Sequence, residues 1–191
     1  MKLETHIAFG LFIGSLMYYF FGFGANLILL MGFAAFIPDI DWAMQFKWGM
    51  GNRHRTFGHN IWFVLIVSLI GFYLTRSLLV FISIVLGMLT HLIADSFTVT
   101  GVSWLYPYGY EKKFYFKGKL NMSDPSETKF ERYLTIALLT FSGLLFLMKG
   151  VALDLTSPQN YIALIIIAYV GYRVFKNFSK IIKSFIRKAK I

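Results

Sequence analysis

The chain has 191 residues, of which 57% are hydrophobic and only 15% charged, with a mean hydropathy of +0.62. Soluble domains carry about a quarter charged residues, so this composition excludes an ordinary soluble enzyme and points to repeated crossing of a bilayer. Cysteine is absent, which removes disulfides and thiolate metal ligands, and the net charge of +10 fits the basic cytoplasmic loops of a membrane protein better than nucleic-acid binding.

The first predicted helix runs from about Thr5 to Phe23. Glu4 and His6 make its start too polar for a cleaved signal, and no small-residue cleavage site follows. The second runs from Asn26 to Ile37 and stops at Pro38; it is short enough to be tilted or re-entrant. After a loop from Pro38 to Gly58, the third runs from His59 to about Thr75 and the fourth from Ser77 to about Phe97. A polar segment, Thr98 to Arg132, precedes the fifth helix, Tyr133 to Met148, and the sixth spans Asn160 to Phe175. All four prolines fall between these helices. Lys113 to Leu120 partly alternates polar with apolar around a glycine, the pattern of a small surface hairpin. The expected fold is an all-α polytopic membrane helix bundle of about six transmembrane helices.

Lys and Arg set the orientation. With the N-terminus inside, seventeen of them fall on the inner side and only Arg76 and Lys149 on the outer side. That asymmetry places both termini in the cytoplasm of a cell (inner) membrane protein. Residues 1–175 then form one transmembrane domain, and 176–191 a basic tail. Arg173, Lys176, Lys180, Lys183, Arg187 and Lys190 recur every three or four residues, with Phe175, Phe178, Ile182, Phe185 and Ile186 between them. Such a helix lies along the anionic inner leaflet, either as a plain anchor or to recruit lipid.

The chemistry concentrates in a few polar residues. His91 and Asp95 are four apart near the end of an otherwise apolar helix, so they share one face. A carboxylate near lipid depth is costly, about 2.5–3.5 kcal/mol on insertion scales, and is usually kept with a partner. The orientation puts His6, Asp39, Asp41, His54, His59, His91 and Asp95 at the same inner end. Imidazole and carboxylate suit zinc, manganese or iron(II). Seven candidates suffice for one ion with a general base and supporting partners, or for two bridged ions. Asp39 and Asp41 are candidates for ligand or base. Asp39 alone also suits a helix cap, and His6 alone an interfacial residue. Arg53 and Arg55 flank His54, where they suit a phosphate or simply the positive-inside pattern. His6, Gly10 and Gly14 share one face of the first helix, and Gly87, His91 and Asp95 one face of the fourth; these two faces are expected to meet.

Taken in series, Thr5-His6 with Gly10, Pro38-Asp-Ile-Asp41, His54-Arg55 to His59, His91-Leu-Ile-Ala-Asp95, and Gly101-Val with Leu105-Tyr-Pro107 resemble the YdjM-like family over about Met1 to Glu131. That family is described as LexA-regulated, membrane-bound, predicted metal-dependent hydrolases. The pattern is also similar to that of zinc-dependent phospholipase C, whose His-x-x-x-Asp lies on a helix in a multi-zinc site. The resemblance implies that His6, Asp39, Asp41, His54, His59, His91 and Asp95 are the candidate metal residues. The chain departs from the family in having Thr56 where Gly is usual, and Gly58-His59-Asn60 where Thr-His-Ser is usual.

Together these readings describe a membrane hydrolase using one or two divalent ions, zinc foremost, on a phosphoester such as a phospholipid. Asp39, Asp41 and Arg55 are its catalytic candidates. A structural metal site is the alternative. A metal-ion transporter is a further one, disfavoured because the polar residues gather at one end and not along a path.

Overall fold

The computed structural model describes residues 1–40, 57–108, 115–116, 118–121 and 123–149. Residues 1–151 form one compact unit; 152–191 form a second, which lies outside the described residues. The expected sixth helix, the basic tail and the boundary at residue 175 fall there. The described chain is mostly helical. Its five α-helices are α1 (Leu3–Phe21), α2 (Ala25–Ala34), α3 (Ile61–Thr75), α4 (Leu78–Ser96) and α5 (Pro125–Met148). Two of them, α4 and α5, are long and apolar enough to cross a membrane.

Local signals explain most helix ends. Gly22 stops α1 in the left-handed region at φ 73°, its N–H bonded to the Tyr18 carbonyl. Asn60 caps α3 by accepting from the Phe63 N–H at 2.9 Å, and Ser77 caps α4 by accepting from the Val80 N–H at 3.4 Å. The helix α2 ends at Ala34, earlier than the expected Ile37. Ile37–Asp39 then form a single 3-10 turn that holds Pro38, whose missing N–H fits a helix start and not a helix interior.

The fifth helix corrects the sequence reading. It begins at Pro125, not Tyr133. Asp124 caps it and Pro125 occupies its first turn, a start signal that the polar surroundings obscured. Hydrogen bonds from the Ser126 hydroxyl and N–H hold the Asp124 carboxyl below its usual range. A lowered folded-state pKa stabilises the cap above the ordinary carboxylate range and is lost as acid protonates it. The hairpin expected within Lys113–Leu120 is also replaced. Tyr115–Phe116 pair antiparallel with Val102–Ser103, just after α4, and Leu120 bridges to Thr98.

Packing is set by glycine. A Cβ on Gly10 of α1 would lie 2.5 Å from the Met31 carbonyl oxygen, and one on Gly87 of α4 would lie 2.4 Å from the same atom. So α2 is wedged between α1 and α4 at the level of the glycines, while the two faces meet directly, as expected, at their histidine end, where His6 stacks on His91 and approaches Asp95. In lipid there is little hydrophobic force between helices, and close backbone approach supplies the attraction. Beside this wedge, Ala34, Val64, Ile84, Met88, Leu92 and Val102 form the apolar core.

The outer helices are inside-out by the standard of a soluble protein. The buried residues of α5 are Glu131, Thr135, Leu138 and Ser142, while Phe130, Tyr133, Phe141 and Leu144 are exposed. On α3, Val64 and Ser68 are buried while Leu65, Ile66, Leu69 and Ile70 are exposed. Polar groups inside and apolar groups outside are what a lipid solvent dictates.

Buried hydroxyls mostly satisfy themselves. Ser15, Ser68, Ser83 and Ser142 each donate to the carbonyl four residues back in their own helix. Glu131 works differently. α1 has no side-chain cap of its own, and Glu131 supplies one from α5. Its Oε1 accepts from the Lys2 N–H and from the Thr5 hydroxyl at 3.0 Å. Glu131→Ala should therefore lower stability by about 1–3 kcal/mol, because a buried donor loses its acceptor. Thermal unfolding in detergent measures this, with Glu131→Gln as the milder partner. An unchanged unfolding temperature for Glu131→Ala would rule the cap out.

Candidate metal centre

Four separate segments deliver the site. His6 comes from the first turns of α1, Asp39 from the 3-10 turn after α2, His59 from just before α3, and His91 with Asp95 from the last turns of α4. All five meet at one end of the bundle. His6, His59, His91 and Asp95 are buried, and Asp39 keeps a partial exposure of 22%. Asp41, His54, Arg53 and Arg55 lie outside the described residues.

His91 is the hub. Its Nδ1 lies 2.7 Å from the Ala35 carbonyl oxygen, which can only accept, so the proton sits on Nδ1. That contact fixes the tautomer and leaves the Nε2 lone pair directed into the cluster. His91 Nε2 is 3.0 Å from His59 Nε2, 3.6 Å from Asp39 Oδ1 and 3.7 Å from Asp95 Oδ2. His59 Nε2 is 3.6 Å from each of the same two carboxylate oxygens. An ion with bonds of about 2.0–2.2 Å holds tetrahedral ligands about 3.3–3.6 Å apart. The observed separations lie around the edges of such a tetrahedron.

His6 adds a second observation. Its ring stacks on His91 with centroids 3.7 Å apart, and its Nε2 lies 3.3 Å from Asp95 Oδ1. Its Nδ1, by contrast, makes no hydrogen bond, although the residue is fully buried. Leaving a buried polar group unmatched costs about 1–3 kcal/mol, and a ligand-binding role accounts for retaining one. The amino group of Met1 also contacts Asp95 Oδ1 at 2.6 Å.

Two groupings of donors could hold an ion: His59 with His91 and Asp95, and His6 with Asp39 and His91. They share His91. Because Nδ1 is committed to Ala35, His91 has one lone pair to give, so through His91 the groupings are alternatives around one ion. The residues fit a divalent ion of the nitrogen- and oxygen-preferring class.

Sequence reasoning missed three supporting groups. The Ala35 carbonyl carries no side-chain signal at all. Glu131 stood in the polar segment placed before the fifth helix. Asn60 stood out as a departure from Ser, and its role resolves that departure: it is the N-cap of α3, where Asn and Ser serve equally well. It also donates to the Phe57 carbonyl at 2.7 Å, tying down both sides of His59.

The sequence profile of the YdjM inner membrane protein family matches residues 1–179, which includes every residue of the cluster. A protein of Bacillus subtilis (strain 168), described as "Uncharacterized protein YvsG", is 30% identical over 122 residues, covering 54% of this chain and 72% of that one. No solved structure matches the chain.

Proposed function

Because the chain belongs to the YdjM inner membrane protein family, we propose that its buried cluster is the active centre of an integral-membrane, metal-dependent hydrolase of phosphoesters. The observation that carries this reading is the convergence of His59, His91, Asp95 and Asp39 from separate segments at spacings of 3.0–3.7 Å. Six spans, with both termini and the centre on the cytoplasmic side and the basic tail along the anionic inner leaflet, complete the proposed topology.

His59, His91 and Asp95 would hold the ion in this reading, since catalytic centres commonly use three protein ligands and keep one position for water. A divalent ion of the zinc, manganese or iron(II) class supplies Lewis acidity and lowers the pKa of coordinated water towards neutrality. Asp39, the least buried member, lies 3.6 Å from both His59 Nε2 and His91 Nε2 and would serve as the general base that accepts a proton at its carboxylate. Ala35 orients His91 through its carbonyl. His6 stacks on the His91 ring and braces it. Arg55, Asp41 and His54 are assigned to the anionic group of the substrate and to the ion's surroundings.

A second reading has an observation in its favour. Asp39 is as near to the two histidines as Asp95 is, so the four donors would also close a structural site with no position for water. Asp39→Asn separates the two. As a general base, Asp39 leaves the bound metal unchanged when replaced, and hydrolysis falls about 10²–10⁴-fold. As a fourth ligand of a structural staple, its loss removes metal and lowers thermal stability together. Metal content by mass spectrometry, thermal unfolding and release of phosphate from a soluble diester are measured on the same detergent-purified sample.

A further inference from the structure

The helix lengths fix how deep the centre sits. The end of the bundle away from it is marked chemically. Arg76 lies between α3 and α4 with its guanidinium over the Tyr73 ring, and the Lys149 ammonium sits over the Tyr18 ring near the end of α1. Isolated cations with tyrosines are the signature of a membrane–water interface. From there the centre is reached along α1 or α4. Sixteen residues separate Gly22 from His6 and fourteen separate Ser77 from His91, which is about 24 Å and 21 Å at 1.5 Å per residue. The hydrocarbon layer is about 30 Å thick. The centre therefore falls short of the opposite surface and stays inside the apolar layer; any tilt of the helices puts it deeper.

The surface around it agrees. Ile40 follows Asp39, Phe57 precedes His59 by two residues, Ile93 stands between His91 and Asp95, and Phe97 follows Asp95 by two. All four are exposed, Phe57 by 63% and Phe97 by 59%. Exposed phenylalanines beside a largely buried cluster of charge and imidazole are costly in water and natural in lipid.

We infer that the mouth of the centre is a lipid-docking surface: it opens below the headgroup region of one leaflet, and its ligand is a membrane lipid of that leaflet, arriving sideways with its phosphoester at the cluster and its acyl chains against Phe57 and Phe97. The docking surface follows from depth and exposure alone, while hydrolysis of the docked lipid rests on the function proposed above.

The absence of cysteine makes the test direct. Phe57→Cys, Phe97→Cys and Ser77→Cys each place one nitroxide label on the protein in phospholipid vesicles, with metal content checking that each variant is folded. Labels at Phe57 and Phe97 should collide with oxygen at least about threefold more often, and with a water-soluble nickel chelate at least about threefold less often, than the label at Ser77 at the interface. Nickel access equal to that at Ser77, or protection from both quenchers, overturns the docking surface. In the same vesicles, phosphate-containing headgroup should be released from the lipid at least about tenfold faster than a short soluble phosphodiester is cleaved. Cleavage of the soluble diester alone overturns the lipid as ligand and leaves the hydrolase standing. Lipid-exposed labels with neither compound cleaved support the docking surface and overturn the hydrolase reading.

Discussion

His91→Ala should yield a protein that purifies without its divalent ion. The imidazole contributes the Nε2 that faces His59, Asp39 and Asp95 at 3.0–3.7 Å, and no described residue can replace it from the same position. Losing an outer partner of a ligand typically lowers metal affinity about 10–100-fold, so losing the ligand itself should exceed about 100-fold. Stability should fall as well. The Ala35 carbonyl loses its donor, His6 loses the ring on which it stacks, and a cavity opens at a fully buried position, for a combined cost of about 2–4 kcal/mol. Metal content by mass spectrometry and thermal unfolding with and without chelator check both parts. In the wild type, chelator should lower the unfolding temperature; in His91→Ala it should do nothing, since no ion remains to remove. Wild-type metal content in the variant would contradict the assignment of His91 as a ligand.

Gly87→Val should damage the centre from outside it. A side chain at position 87 has no room, because its Cβ would stand 2.4 Å from the Met31 carbonyl oxygen and 2.7 Å from the Ala34 Cβ. Those are backbone and a β-carbon, not the free end of a flexible chain, so α2 as a whole must move. Overpacking of this kind costs about 1–3 kcal/mol, and a rigid neighbour argues for the upper half. The movement also reaches the chemistry. Ala35, the acceptor for His91 Nδ1, belongs to the displaced end of α2, and His91 lies one turn beyond Gly87. The variant should therefore bind metal about 10–100-fold more weakly with every ligand still in place. Metal titration of the folded variant, beside Ser83→Ala as a buried control on the same helix, measures this. Full metal affinity in Gly87→Val would mean that α2 does not position His91.

Much of the site was legible in the sequence because ionisable groups in an apolar chain have few other uses. His91 and Asp95 stand out for that reason, and helix periodicity alone puts them on one face. The Lys and Arg asymmetry then places His6, Asp39 and His59 at the same end, and the structure brings all five together there. The stop at Gly22 and the caps of α3 and α4 are equally local, since the residue that ends or starts the helix is the one that makes the bond.

What the sequence left open depends on contacts between distant residues. Both glycine faces were visible, but not their partner. Gly10 and Gly87 could equally have packed on each other, and only the tertiary structure puts Met31 of α2 between them. The start of α5 was hidden because Asp124 and Pro125 sit in a polar stretch, whose buried Glu131 makes sense only opposite the uncapped end of α1. The strand pairing of Tyr115–Phe116 with Val102–Ser103 joins residues that a local hairpin pattern cannot connect. Above all, the proton on His91 is set by a backbone carbonyl of Ala35, an atom every residue possesses and no sequence pattern reports. Composition and spacing determined which residues gather in the buried cluster, since those follow from side-chain type and helical period. The tertiary structure decided how they are oriented, since a lone pair is aimed by whatever the other nitrogen meets.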